Sequence, residues 1–351
     1  MSGAGDFKII FMKRVFTAVA VAAVMLAACD SPSETSAVNV IIETDLGNDV
    51  DDALALGLAY NYVDSGKMNL LAITINKEGR APGEFCDILN TFYGHPEIPI
   101  GVIREGASYC EDDAVNYAKA VVEMKNEDGT PAFARSVSDY DTLPDAPVLY
   151  RKILVGQEDK SVVVVSIGFS TNLIKLLETS GDEWSPLSGK ELVAKKVKLL
   201  VAMAGNFEDP NFHEYNVMKD VPSAKAVLEG WPSPVVVTPF ELGIKTCYPA
   251  GSIENDFDWA SLNPIVEAYK SYLPMPYDRP MWDPTALVYA VEGENWFTMS
   301  EKGHITVTDE GSTLFTPDAA GDRQYMMADS LQRKALVEHF VELIPFKPKS
   351  K

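Results

Sequence analysis

Four consecutive valines, Val162 to Val165, sit inside the run from Ser161 to Ile167 and leave that stretch no polar face. A strand of this kind is stable only when covered on both sides, as in the parallel sheets of α/β proteins. The rest of the chain repeats the theme. Val38 to Ile42, Asn69 to Ile75, Ile98 to Ile103, Lys198 to Met203 and Pro234 to Thr238 read as further strands. Helical stretches at Asp51 to Tyr62, Pro82 to Tyr93 and Thr171 to Glu178 separate several of them. The expectation is an α/β fold with a mostly parallel open sheet and helices on both faces, spanning 38–351 as a single domain. Residues 300–317 read as a late antiparallel hairpin and Gln332 to Phe340 as a closing helix. In such sheets ligands bind beyond the carboxyl ends of the strands.

The N-terminus is set aside from the fold. Lys13 and Arg14 precede an apolar run from Val15 to Ala28, ending in Leu26-Ala27-Ala28-Cys29. The run is shorter than the ~20 residues a spanning helix needs and has the layout of a signal peptide. Leu-Ala-Ala-Cys resembles a bacterial lipobox, so residues 1–29 are expected to be a signal peptide, with Met12 a candidate start. Cys29 becomes the lipidated residue and 30–37 a polar tether. The expected location is the bacterial cell envelope, periplasmic or outer surface, with the membrane reached through the lipid alone. Cys86, Cys110 and Cys247 show no metal-type spacing; buried free thiols are preferred over a single disulfide. The net charge of −21 excludes nucleic acid as a partner, because phosphate backbones need basic patches. It leaves room for a homo-oligomer.

The chemistry is concentrated just past strand ends. The first strand runs into Asp45-Leu46-Gly47-Asn48-Asp49-Val50-Asp51-Asp52, with Glu43 just before. Clustered carboxylates repel one another unless a cation relieves them, and an all-oxygen set favours calcium or magnesium. Asp51 and Asp52 also suit a helix N-terminus, which accounts for two of the four acids. An EF-hand is excluded, because Val50 stands where its glycine is needed and Leu56 where its glutamate is needed. Ser166 to Asn172, with Gly168, follows the valine strand and on its own reads as an ordinary strand-to-helix turn. Ala204-Gly205-Asn206 and His213-Glu214-Tyr215-Asn216 supply hydrogen-bonding groups for a polyhydroxy ligand. Met281-Trp282-Asp283-Pro284-Thr285-Ala286 reads alone as a core Trp beside a capped helix start.

Taken together and in this order, the four elements resemble the inosine–uridine-preferring nucleoside hydrolases, from Val38 to about Val341. The resemblance implies calcium-dependent hydrolysis of the N-glycosidic bond of ribonucleosides. It implies calcium held by Asp45, Asp52, Asp283 and the carbonyl of Ile167, with Asp45 as the base that deprotonates water. Asp51 and Asp283, with Asn216, are implied to grip the ribose diol. Asn206 and Glu214 are implied to position the 5′ side, and Asn76 to add a ribose contact. This chain departs from the family pattern in four places. The opening loop is two residues longer, so Asp49 and Asp51 compete for the sugar. Glu43 replaces an Asp, and Phe207 to His213 lengthens the gap before Glu214. Trp282 stands where many members have a histidine acid, as in the purine-preferring branch. Stacking on Trp282 or an acid such as His213 then helps the leaving base. A haloacid-dehalogenase-type phosphohydrolase fits poorly, because its motif needs Asp at position 43. The remaining alternative is a non-catalytic, calcium-dependent nucleoside- or sugar-binding lipoprotein on the same scaffold.

Overall fold

The computed structural model describes residues 37–349, which belong to one compact unit. The signal-peptide segment, Cys29 and residues 30–36 of the tether lie outside the described residues. The first half contains β1 (Val38–Thr44), α1 (Asp51–Asp64), β2 (Met68–Ile75), α2 (Arg80–Tyr93) and β3 (Ile100–Val102). It continues with α3 (Tyr117–Val122), α4 (Ala146–Val155), β4 (Val162–Ile167) and α5 (Thr171–Glu178). Then follow α6 (Gly189–Lys196), β5 (Val197–Met203), α7 (Tyr215–Lys219), α8 (Val221–Gly230), β6 (Val235–Thr238) and α9 (Phe240–Gly243). The last third holds β7 (Cys247–Tyr248), α10 (Ala250–Asn255), α11 (Pro264–Tyr272), β8 (Arg279–Pro280) and α12 (Trp282–Glu292). It closes with β9 (Thr298–Met299), β10 (Gly303–Val307), β11 (Thr313–Pro317), β12 (Arg323–Met327) and α13 (Ser330–Leu343).

The sheet order is β11-β10-β12-β6-β5-β4-β1-β2-β3, with β9 paired to β12. Every pair from β12 to β3 is parallel, and the antiparallel pairs lie at the β10–β11 edge and at β9. The expected mostly parallel open sheet is therefore what forms, and the late hairpin extends it. β12 returns to pair with β6 in parallel, a long-range contact with no local sequence signal.

The valine run explains the central layer. Val163 and Val165 pack with α1, α2 and α12 on one face, while Val162 and Val164 pack with α4, α5, α6 and α8 on the other. Alternation with period two sends neighbouring valines to opposite cores. β1 lies between β2 and β4, so the carboxyl ends of three buried strands meet at the Asp45 loop. Cys86, Cys110 and Cys247 are all free thiols, the first two buried. No helix among the described residues is long and apolar enough to cross a membrane.

Candidate active site

Two helix N-termini meet at the end of β1. α1 begins at Asp51, and both Asp51 and Asp52 are buried in its first turn. α12 begins at Trp282, and its first two amides do not find a local cap. They donate instead to Asp51 Oδ2, at 2.9 Å from Trp282 and 3.1 Å from Asp283. Asp51 is thus the cap of a helix more than two hundred residues away, and the positive ends of two helices face the acidic cluster. The Thr44 hydroxyl donates to Asp52 Oδ1 and receives the Leu46 amide at 3.1 Å, which folds the strand end into the loop.

The loop between Asp45 and Asp51 is pinned from outside. Gly47, with φ +108°, turns the chain, and its amide donates to the Tyr117 hydroxyl at 2.8 Å. The same hydroxyl donates to the Asp49 carbonyl at 2.8 Å. Asp49 is then drawn away into an ion pair with Arg279, whose guanidinium lies over the rings of Tyr272 (4.9 Å) and Trp282 (5.2 Å). Asp49 is engaged by a cation through Oδ2 while its Oδ1 is buried without a partner, and Asp51 is fixed beside Asp283.

A cavity of about 320 Å3 opens over this cluster, lined by Asp45, Asn48, Asp49, Asp51, Asp52, Ile167, Met203, Glu214, Tyr215, Asn216, Phe240, Tyr272, Trp282 and Asp283. Another, of about 360 Å3, lies at the β3 edge among Glu78, Arg80, Arg104 and Tyr140, and holds none of the clustered aspartates. Chemistry rather than size identifies the site.

Burial dominates the electrostatics. It pushes the Asp45 carboxyl up to about 7, with the neighbouring Asp51 pushing the same way and Lys77 opposing. It likewise pushes Asp51 up to about 7 against the two amides of α12. Asp52 and Asp283 are raised well above the usual carboxylate range by burial and by the other aspartates. Asp45 Oδ2 and Asp52 Oδ2 are buried with no hydrogen-bond partner. Orphaned carboxylate oxygens with mutual repulsion are what a hard cation relieves. The donor set of Asp45, Asp52, Asp283 and the Ile167 carbonyl is all oxygen and shares one cavity, so it fits such an ion in chemistry and burial. No three His, Cys, Asp or Glu side chains among the described residues are gathered closely enough to hold a metal by themselves.

The remaining expected residues divide. Glu214 caps α7, accepting from Asn216 N (2.8 Å), Gly205 N and Val217 N (3.1 Å each), and burial holds it up at about 7 despite those bonds. Asn216 lines the cavity and donates its Nδ2 to Met203, to the carbonyl at 3.2 Å and the sulfur at 3.1 Å, so Oδ1 is the atom it can offer. Trp282 donates its indole N–H to the Phe240 carbonyl at 2.9 Å and stacks on the Phe240 ring at 5.6 Å, so it presents only a face. Asn76 and Asn206 do not line the cavity. Asn76 Nδ2 is held beneath it by the Phe169 carbonyl (2.7 Å) and Glu43 (3.2 Å). Asn206 Oδ1 is turned onto its own loop, accepting from Glu208 N (3.0 Å) and Asp209 N (2.8 Å). His213 is exposed and also outside the lining. Gly168 serves a close approach, though not to a ligand: a Cβ there would lie 2.7 Å from the Asp45 amide and from Asn76 Nδ2.

Sequence reasoning passed over Asn48, Tyr215, Phe240 and Tyr272 in the cavity wall, and Lys77, Tyr117 and Arg279 behind it. Tyr215 stood between two residues already singled out. The aromatic positions resemble core residues, and Arg279 carries no motif of its own.

The profile of the inosine-uridine preferring nucleoside hydrolases matches residues 40–338. The chain belongs to this family. It is accordingly a hydrolase of N-glycosyl bonds, and ribonucleosides are its substrates by class. Solved structures with the same fold include a plant nucleoside hydrolase, at 19% identity and TM-score 0.66, covering 88% of this chain and 99% of that one. A purine-preferring ribonucleoside hydrolase from Gardnerella vaginalis has 17% identity and TM-score 0.66, with 88% and 98% covered. An inosine-guanosine nucleoside hydrolase has 21% identity and TM-score 0.63, with 88% and 97% covered. No curated protein sequence matches significantly. In this nucleoside hydrolase the Asp45 loop therefore lies where the fold places its ligand, beyond the carboxyl ends of the central strands.

Proposed function

We propose that this hydrolase is a calcium-dependent, purine-preferring N-ribohydrolase. The observation that carries the reading is the meeting of four buried aspartates, two with orphaned oxygens, beneath a wall of Trp282, Phe240, Tyr215 and Tyr272. Asp45, Asp52, Asp283 and the Ile167 carbonyl would hold calcium. Bound there, the ion supplies positive charge that lets the carboxylates ionise and makes a nearby water more acidic.

Asp45 takes a proton from the attacking water, within reach of its unpartnered Oδ2. Asp51 and Asp283, locked together at the start of α12, accept hydrogen bonds from the ribose diol, and Asn216 Oδ1 joins them. The C–N bond breaks through an oxocarbenium-like state that the anionic floor stabilises. Glu214 orients the α7 turn that carries Asn216. Trp282 offers a flat apolar face that suits a purine, and its N–H is committed elsewhere.

The non-catalytic binding reading is not favoured, because the family is one of hydrolases. The test is release of free base and reducing sugar from inosine, adenosine and uridine, with calcium and with chelator. Turnover of the purines that chelation abolishes and calcium restores supports the proposal; binding without turnover across the panel refutes it. We also propose lipid anchoring at Cys29 to the bacterial envelope. Cys29→Ser is expected to move the protein from the membrane to the soluble fraction, and an unchanged distribution removes the anchor.

A further inference from the structure

The carboxylates explain a grip on sugar and leave the base short of donors. Ionised acids only accept hydrogen bonds. Of the lining groups able to donate, Trp282 Nε1 is committed to the Phe240 carbonyl, Asn216 Nδ2 to Met203, and Tyr215 Oη to Asn48, while the Tyr272 hydroxyl is uncommitted but has no hydrogen-bonded group behind it to fix its direction. Asn48 is built differently. Its Oδ1 accepts from Tyr215 Oη at 2.9 Å and from Lys77 Nζ at 3.4 Å. Lys77 is itself buried and fixed by Asp113 at 2.6 Å.

An ammonium can only donate, so the amide oxygen of Asn48 must face it; the flipped amide would set donors against donors. That leaves the nitrogen as the end the protein does not hold, on a half-buried residue of the cavity wall. The ammonium behind the oxygen also polarises the amide and strengthens its N–H as a donor.

The geometry points to Asn48 as a substrate-contacting residue whose Nδ2 hydrogen-bonds an acceptor on the purine while the N-glycosidic bond breaks. This rests on the nucleoside-hydrolysis reading. Ribose hydroxyls can donate to carboxylates, whereas the lone pairs of a purine cannot, so the unheld donor matches the base. The C–N electron pair passes into the ring, and an acceptor there grows more basic in the transition state. Water oxygen bonds to the sugar carbon, one water proton goes to Asp45, and the departing base takes its proton from solvent. Asn48 transfers none. Lys77 and Tyr215 are positioning residues for it.

The test compares inosine with 4-nitrophenyl β-D-riboside, whose leaving group departs without help. Asn48→Ala is expected to lower kcat/KM on inosine about tenfold or more, the scale of one lost hydrogen bond in a dry site. The loss on the nitrophenyl riboside should be much smaller. Asn48→Asp keeps an acceptor toward Lys77 and Tyr215 and replaces the donor, so its loss on inosine should be at least as large. It carries the test if the alanine variant folds poorly. Equal losses on both substrates overturn the inference and make Asn48 a loop-shaping residue. A wild-type protein that cleaves neither substrate removes the proposed function itself, and this inference with it.

Discussion

Asp49 is paired with Arg279, a residue 230 positions further along the chain, and the pair engages one carboxylate oxygen of an acid that also lines the cavity. Burial lowers the Arg279 guanidinium to about 10, with Asp283 opposing, so this cation needs its partner. Asp49→Asn should therefore act mainly on stability and modestly on turnover. Asp51→Asn should lower kcat/KM by about two orders of magnitude or more, as expected for a group that contacts the reacting sugar. Steady-state kinetics of the two variants on inosine checks this, and equal losses would return Asp49 to the sugar.

Calcium should compete with protons. Burial sets Asp45 and Asp51 near 7, with the charge of Asp51 adding to the rise at Asp45, so both are substantially protonated in slightly acid solution. Binding must then release protons, and affinity should rise as pH increases from about 6 to 8. Calorimetry in two buffers of different ionisation enthalpy counts the protons. A pH-independent affinity with no proton release would contradict it.

Trp282→Ala removes the stacking face and leaves the Phe240 carbonyl with the Ile244 amide as its one remaining donor. The expected result is a loss of about tenfold or more in kcat/KM on inosine and a smaller loss on uridine, since a purine has the larger ring face. Uniform loss would assign Trp282 to packing alone, a role its close seat over Gly243 also supports.

Glu292 ties the lower end of the fold together, accepting from Tyr62 Oη (3.0 Å), Lys67 Nζ (3.0 Å), Trp296 Nε1 (2.8 Å) and His339 Nε2 (3.1 Å). Burial acts to raise its pKa, but the bonds from His339, Lys67 and Trp296 outweigh it and hold the carboxyl at about 2. A depressed folded value means stability that is present above the unfolded value, about 4.3, and is lost as pH falls toward 2. Glu292→Gln should melt several degrees below wild type at pH 7, with the gap closing between about pH 4.3 and 2. A constant gap across that range would sink the account.

The apolar runs made the central strands readable, because four valines in succession admit few alternatives. Asp45 and Asp52 were readable for a similar reason: clustered acids past a buried strand need a common explanation. Asn206 does not line the cavity: an asparagine in a loop serves the loop first, and its Oδ1 is spent on the Glu208 and Asp209 amides. Asn76 does not line the cavity because its Nδ2 is held by the Phe169 carbonyl, while its Oδ1 is buried without a partner. Phe240 and Tyr272 could not be singled out, since aromatic residues in apolar surroundings look like core until the chain brings them to one cavity. Arg279 escaped for want of any local pattern linking it to Asp49.

Tyr117 has a single oxygen that takes the Gly47 amide and gives its proton to the Asp49 carbonyl, and so closes both ends of the inserted turn with one atom. The insertion is therefore not self-supporting; its shape is borrowed from α3. A lineage could lengthen this loop without redesigning it, provided one phenol stood in place, and could not then lose that phenol cheaply. The loop and its distant clamp stand or fall together, since removing that one hydroxyl frees the Gly47 amide and the Asp49 carbonyl at once.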